Sequence, residues 1–124
     1  MLSITIEYEV VSVSDESTVY RVVPVYYAYE LLDREERELV AYHWHPAGIS
    51  PVTDPHLHLS GRLAPLDLGP GDAPIPFGEM HLPTGPVTLA DVVRLAITEF
   101  AVTPRRSDWE TVLRQHRDPF APGE

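Results

Sequence analysis

Residues 42–59 read YHWHPAGISPVTDPHLHL, and this segment predicts both the pairing of two strands and the candidate site. It carries two His-x-His pairs, His43 with His45 and His56 with His58. Residues i and i+2 of a β-strand point to the same face, so each pair places both imidazoles on one side of a sheet. If the intervening residues close an antiparallel hairpin, one register sets His45 opposite His56 and His43 opposite His58. The stretch therefore predicts a block of four imidazoles.

The residues that alternate with these histidines predict which face of the sheet is buried. All of them are apolar: Val40, Tyr42, Trp44, Leu57 and Leu59. A sheet that packs on this side leaves the histidines on the opposite surface, and a slip of one residue would exchange the two faces. We therefore expect the histidines on the face that lies away from the core.

The sequence on either side of this stretch predicts further strands. Apolar alternation and apolar runs predict strands at about 3–13, 18–32, 38–45 and 56–60, with a possible fifth at 79–82. Residues 61–78 are rich in proline and glycine but keep apolar side chains. Loops of this length in compact domains tend to be functional or packed, so we expect an ordered loop that lies over the sheet.

The C-terminal part has helical periodicity. It predicts helices at about 89–101 and 108–117, and Thr88 with Asp91 forms a capping signal for the first of them. The expected fold class is α+β, an antiparallel meander of four to five strands followed by two C-terminal helices packed on one face.

Length and composition limit the possible classes of protein. A chain of 124 residues predicts a single domain, 1–124. There is no cysteine, which excludes a thiolate metal site, so any ion must be held by nitrogen and oxygen atoms. The N-terminal sequence does not resemble a signal peptide, and no apolar run has the length of a membrane span. These features predict a cytoplasmic protein of bacterial type.

The charge balance predicts the kind of partner. The formal net charge is −10, whereas nucleic-acid-binding proteins normally present a basic face to the phosphate backbone. We therefore expect no broad nucleic-acid contact. An acidic surface instead suits a basic partner protein.

Three short motifs follow one another in the middle of the chain: Tyr27-x-Tyr29-x-x-x-Asp33, Leu39-x-x-Tyr42-x-Trp44-x-Pro46 and Pro55-His56-x-His58. In this order, over residues 20–58, they resemble a group of small bacterial proteins called TumE-like, which are regarded as predicted toxins of toxin–antitoxin modules. The resemblance implies a toxin activity and an antitoxin-like basic partner. The turn at 33–38 lacks the glycine common in that group, and the helical segment after His58 extends beyond the resemblance.

The first interpretation of the histidine block is a metal site. Neutral imidazole is the most common nitrogen ligand, and two or three imidazoles with a carboxylate suit Zn²⁺, Fe²⁺ or Ni²⁺. The candidate ligands are His43, His45, His56, His58, His81 and Glu79, with Asp54 as a further carboxylate. Residues i and i+2 of one strand lie about 7 Å apart at Cα. One ion would therefore take one ring from each strand plus His81 more easily than all four strand histidines.

Two other interpretations stay open. In the first, the protein acts on RNA by acid-base chemistry: His56 and His58 exchange protons with the 2′-hydroxyl and the leaving 5′-oxygen, while Arg62 or Arg21 stabilises the phosphorane. In the second, the histidines are structural, their rings hydrogen-bond to loop carbonyls, and the protein is an interaction module. His116 lies outside the block, on the predicted second helix, and we expect it to be exposed.

Overall fold

The structure is a computed structural model that describes residues 1–13, 19–45 and 51–115. Its elements in chain order are β1 (Leu2–Ser12), β2 (Tyr20–Leu32), β3 (Glu38–Trp44), β4 (His56–Leu59), a single 3₁₀ turn (Phe77–Glu79), β5 (Leu82–Pro83), α1 (Leu89–Thr98) and α2 (Trp109–Arg114). Each strand pairs antiparallel with the next, so the sheet order is the chain order. The predicted α+β meander with two C-terminal helices is confirmed.

Some of the predicted features lie outside the described residues. These are residues 14–17 between the first two predicted strands, residues 46–50 of the loop between the histidine pairs, and the end of the predicted second helix with His116. Within the described ranges, no helix has the combination of length and apolar character that would cross a bilayer.

One face of the sheet carries the core, and we call it the aromatic face: Tyr27, Tyr29, Tyr42 and Trp44. Tyr27 pairs with Trp44 and Tyr29 with Tyr42, so the four side chains lie on the same side of β2 and β3. Tyr27 and Tyr29 stack with ring centroids 4.7 Å apart. Val92 of α1 is 1% exposed and completes this cluster. The helix therefore covers the apolar face, as the alternation predicts.

Helix α1 is fixed at its start by the predicted cap. The Thr88 side chain accepts a hydrogen bond from the backbone N–H of Asp91, and the Asp91 carboxylate accepts one from the backbone N–H of Thr88 at 3.0 Å. Just before the cap, the backbone N–H of Val87 donates to the Tyr27 hydroxyl at 3.1 Å. These bonds satisfy helix-terminal donors and tie the start of α1 to the aromatic face.

A tight turn joins β2 to β3 without a glycine, because Asp33 organises it. The Asp33 carboxylate accepts hydrogen bonds from the backbone N–H groups of Glu35 and Arg37, at 2.8 and 3.0 Å, and from the Arg37 guanidinium at 2.8 Å. The hydrogen bonds from Arg37 are the main reason that the pKa of Asp33 falls to about 2. This turn brings β3 back along β2 and sets the position of His43.

On the N-terminal side of Tyr27, the described part of the chain shows β2 paired with β1 alone, and these two strands extend as a ribbon to the pair Ser12 and Tyr20. Pro24 is a buried residue in this part of β2, opposite Tyr8, and no described residue of β3 pairs with it, so its missing N–H interrupts no ladder bond to β3. Arg21 also lies here, paired with Val11.

The segment between β4 and α1 differs from the prediction in two respects. The fifth strand is Leu82–Pro83, and Glu79 belongs to the 3₁₀ turn, so the predicted strand at 79–82 is wrong in position. Leu63 and Leu68 are 47% and 52% exposed, so the middle of the loop at 61–78 does not pack on the sheet. It forms its own bridge between Leu66 and Ile75, since pairing within the segment satisfies backbone groups that the sheet does not reach.

The two ends of this segment meet where it leaves and rejoins the sheet. A Cβ atom added to Gly78 would lie 2.8 Å from the Cα of Gly61, closer than any side chain tolerates. The approach of the two backbones brings the chain back beside β4 and positions His81 and β5.

Candidate metal centre on the histidine face

The register of β3 and β4 differs from the prediction by two residues. His43 pairs with His56, and Ala41 pairs with His58, whereas the prediction set His45 opposite His56. A shift of two residues keeps every side chain on its face, so the apolar pattern alone cannot detect it. The observed register pairs Val40 with Leu59, while the predicted one would place Val40 opposite Gly61. The strand pairing favours apolar contact between the two strands.

Five imidazoles nevertheless gather on the face opposite the aromatic face, and we call them the histidine cluster: His43, His45, His56, His58 and His81. His56 lies at the centre, and its ring centroid is 5.9, 5.1, 4.9 and 5.1 Å from those of His43, His45, His58 and His81. His81 precedes β5 and lies 4.5 Å from His58. The structure thus unites the two predicted pairs with the predicted fifth histidine.

Two alanines occupy this face beside the imidazoles. Ala28 of β2 pairs with His43, and Ala41 of β3 pairs with His58. Both are buried, at 6% and 0% exposure. A methyl group at each position leaves room for neighbouring rings that a larger side chain would displace. The face is therefore filled by imidazoles and not by aliphatic packing.

The ring of His56 is held in one orientation. It is 1% exposed, and its Nδ1 lies 2.7 Å from the backbone oxygen of Asp54. A carbonyl oxygen accepts, so Nδ1 carries the proton and donates, which leaves the lone pair on Nε2. Nε2 is buried and has no hydrogen-bond partner among the described residues. The chain therefore presents a buried nitrogen lone pair inside the cluster.

A second nitrogen has the same character. Nδ1 of His45 is buried and finds no hydrogen-bond partner in the part of the chain that the structure describes. His45 and His56 are neighbours, with ring centroids 5.1 Å apart. An unsatisfied buried polar atom costs free energy, so two such atoms in one cluster make the cluster a candidate binding site.

The protonation state of the cluster suits a cation. Burial is the largest cause that lowers the pKa of His58, to about 4, and the imidazoles of His43 and His81 lower it further. Burial and the neighbouring His56 also lower the pKa of His43. Both rings are therefore neutral at pH 7, and neutral imidazole is the form that binds metals.

Two groups within the cluster could hold an ion. They are His43, His45 and His56, and His56, His58 and His81; within each group one nitrogen from every ring lies within 4.8 Å of the others. His56 belongs to both groups. Nδ1 of His56 already donates a hydrogen bond to the backbone oxygen of Asp54. Its other nitrogen, Nε2, can therefore bind an ion in one of the two groups at a time.

Other predicted site residues lie apart from the cluster. Glu79 is exposed and belongs to neither histidine group. Asp54 contributes its backbone oxygen to His56, and its carboxylate joins neither group. The Arg62 guanidinium lies 3.5 Å from the Asp33 carboxylate, at the turn between β2 and β3. Arg21 lies on the two-stranded ribbon, seven residues along β2 from Ala28, the partner of His43, which is about 23 Å at about 3.3 Å per residue.

Two carboxylates that the sequence pattern does not predict as site residues lie beside the cluster. Glu30, Glu38 and His43 form a third group whose ligand atoms lie within 4.8 Å of one another. Burial and the charge of Glu30 raise the pKa of Glu38. Strand alternation could have predicted the position of Glu30, because Glu30 is two residues from Ala28 and therefore lies on the histidine face. Glu38 joins them through an irregularity between Leu31 and Leu32, which alternation does not predict.

Comparison of the chain with protein-family models, curated proteins and solved structures finds no match in any of the three.

Proposed function

We propose that this protein binds one divalent transition-metal ion through Nε2 of His56 together with the rings of His43 and His45. The observation that carries the proposal is the buried lone pair of His56 Nε2, which has no hydrogen-bond partner among the described residues. Its other nitrogen donates to a backbone carbonyl at 2.7 Å. Metal-bound histidines commonly have such an outer partner, since it fixes the tautomer and the ring orientation.

The choice between the two groups rests on burial and on unsatisfied nitrogens. The group of His43, His45 and His56 contains both buried nitrogens that lack a partner among the described residues, and none of its three members is exposed. The other group includes His81, which is exposed and can hydrogen-bond to water. An ion held by Nε2 of His56 and Nδ1 of His45 would satisfy both of these nitrogens, so we expect the ion in the first group.

The ligand set indicates the class of metal. Three neutral nitrogen ligands and no thiolate suit Zn²⁺, Fe²⁺ or Ni²⁺, whereas Mg²⁺ and Ca²⁺ prefer oxygen. A tetrahedral ion with three protein ligands keeps a fourth position for water or a substrate atom. His58 stands beside His56 and His43, where its neutral ring can accept a hydrogen bond from a group in that position.

The first test measures metal binding directly. Protein stripped with a chelator is titrated with Zn²⁺ by calorimetry, and its melting temperature is followed. We expect one ion per chain and a stabilisation of about 2.7 kcal/mol at a free ion concentration 100 times Kd. Binding of no Zn²⁺, Fe²⁺ or Ni²⁺ by the folded wild type would contradict the proposal.

Single variants then locate the ion. His56→Ala is expected to weaken affinity by at least about 100-fold, since loss of a ligand exceeds the 10–100-fold cost of losing an outer-shell partner. His45→Ala should weaken affinity far more than His81→Ala, and the reverse order would place the ion in the other group. Glu79→Gln, which alters an exposed carboxylate, is the matched control and should bind as the wild type does.

The toxin interpretation stays a separate prediction, with its basic antitoxin-like partner. The free nitrogen of His56 and the neutral ring of His58 are the groups it would use. It is tested by expression in a bacterial host: growth arrest by the wild type but not by the double variant His56→Ala with His58→Ala would support it. Equal growth of both strains would remove it without touching the metal proposal.

A further inference from the structure

A second feature of the molecule lies on the aromatic face, away from the histidine cluster. The helices α1 and α2 and the ends of β1, β2 and β3 enclose an open cavity of about 670 Å³. Its wall includes Leu31 of β2, Ile97 and Phe100 near the end of α1, and Trp109 and Leu113 of α2. Pockets that hold small molecules have volumes of roughly 300–1,000 Å³ and are mostly apolar, so this cavity has the dimensions of a ligand site.

The side chains that line the cavity are apolar except at two positions. Among the described lining residues, Arg105 and Arg106 are the two with charged side chains, and none is acidic. The third positive group is the N-terminal ammonium of Met1, which donates to the backbone oxygen of Leu32 at 2.6 Å. This contrasts with the whole chain, which has 19 acidic and nine basic residues. This large apolar cavity is therefore also a place where positive charge exceeds negative charge.

The two arginines differ in availability. Arg106 is occupied by Asp108, with two hydrogen bonds of 2.9 and 2.8 Å between guanidinium and carboxylate. Arg105 forms no ion pair with any residue in the described part of the chain. A free guanidinium beside an apolar wall offers planar, two-point recognition of a carboxylate.

We propose that this cavity binds an amphipathic carboxylate, a medium-chain fatty acid whose chain lies between the helices and the sheet and whose carboxylate meets Arg105. Burial of the aliphatic chain removes water from the apolar wall, and the carboxylate satisfies the arginine. Charge complementarity at the mouth selects the acid over a neutral chain of equal length. The occupant is independent of the histidine cluster on the other face.

The experiment uses octanoate, decanoate and dodecanoate as probes, each below its micelle concentration, titrated into the full chain by calorimetry. We expect one molecule per chain and an affinity that rises about fourfold with each added methylene, from about 0.8 kcal/mol per buried methylene. No saturable binding, or many molecules per chain, would overturn the proposal. A dimer that dissociates only on dilution and binds no probe would overturn it as well, by assigning the cavity to a second copy.

Two variants test the role of the arginine. Arg105→Gln should weaken decanoate binding at least tenfold and leave 1-decanol binding unchanged, since the alcohol has no charge. Arg114→Gln is the matched control, because Arg114 lies on α2, pairs with Glu110 at 3.8 Å and does not line the cavity. Equal decanoate affinity for Arg105→Gln and the wild type would overturn the assignment of the carboxylate to Arg105.

A third variant tests the apolar wall without reducing the core. Val112 is 40% exposed at the rim, so Val112→Glu places a negative charge at the mouth with little effect on folding. It should abolish decanoate binding, and retained binding would overturn the location. His56→Ala should bind decanoate as the wild type does, which separates this proposal from metal binding.

Discussion

The aromatic face and the histidine face are built by alternate residues of the same strands, yet different forces organise them. On the aromatic face, Tyr27 is fully buried, stacks on Tyr29 and accepts a hydrogen bond from the backbone of Val87. On the histidine face, His56 is equally buried but keeps a ring nitrogen without a partner among the described residues. Equal burial therefore has opposite consequences: one face stabilises the fold, and the other retains an unfavourable group that a ligand can offset.

The largest expected effect breaks the aromatic face. Tyr27→Ala removes a ring that is 0% exposed and leaves a cavity under α1. We expect the free energy of unfolding to fall by about 3–5 kcal/mol, the range for deletion of a buried aromatic ring. Urea unfolding of the metal-free protein measures it. Tyr27→Phe retains the ring and loses the bond to Val87, so its loss should be only about 1 kcal/mol.

The next effect tests how the chain returns to the histidine face. Gly78→Ala puts a Cβ atom 2.8 Å from the backbone of Gly61, and neither backbone can move without shifting the segment that leads to His81. We expect a loss of about 1–3 kcal/mol in urea unfolding, as for other forced contacts. Gly61→Ala is the control, because its Cβ would lie 3.9 Å from Gly78, an ordinary contact. Equal stability of the two variants would show that the close approach is unimportant.

Acid should weaken the histidine face of the metal-free protein. The pKa of His58 is about 4 in the folded chain and about 6.5 when it unfolds, so the unfolded chain binds more protons between these values. The contribution of neutral His58 to the free energy of unfolding is therefore fully present above about pH 6.5 and is lost progressively as the pH drops to about 4. One pKa unit corresponds to about 1.4 kcal/mol and solvent screens part of the shift, so we expect about 2 kcal/mol from His58.

His58→Gln separates this loss from the titration of carboxylates. The variant should lose less stability than the wild type between pH 6.5 and 4 in urea unfolding with a chelator present. Asp33 titrates lower, since its pKa is depressed to about 2, and its contribution is lost only below about pH 4. Parallel stability curves for variant and wild type across the upper window would contradict the assigned pKa of His58.

The sequence predicted which face of the sheet each side chain lies on, but it did not predict the register between β3 and β4. Alternation through Tyr42, His43 and Trp44 assigns each side chain to a face, because a strand has period two. The same period makes a two-residue shift invisible, which is why the pairing of His43 with His56 was missed. The buried nitrogen of His56 was also beyond the pattern, since it depends on the distance from its ring to the Asp54 carbonyl.

A smaller effect concerns the start of the helix that covers the aromatic face. Thr88→Ala removes the side chain that accepts from the backbone N–H of Asp91. We expect a loss of about 1 kcal/mol in the free energy of unfolding, the usual value for an N-cap threonine. Thr88→Ser keeps the hydroxyl, so its free energy of unfolding should fall by only about 0.3 kcal/mol. Metal affinity should not change in either variant, because the cap acts on the opposite face.

The smallest effect is expected at Arg62, the residue that the acid-base interpretation assigns to transition-state charge. Its side chain is 62% exposed and its guanidinium lies 3.5 Å from the Asp33 carboxylate. Exposed pairs contribute little, so Arg62→Gln should change unfolding free energy by less than about 0.5 kcal/mol and metal affinity by less than about twofold. The histidine cluster would then work without this cation. A large loss of metal affinity in Arg62→Gln would instead show that the turn between β2 and β3 also contributes to metal binding.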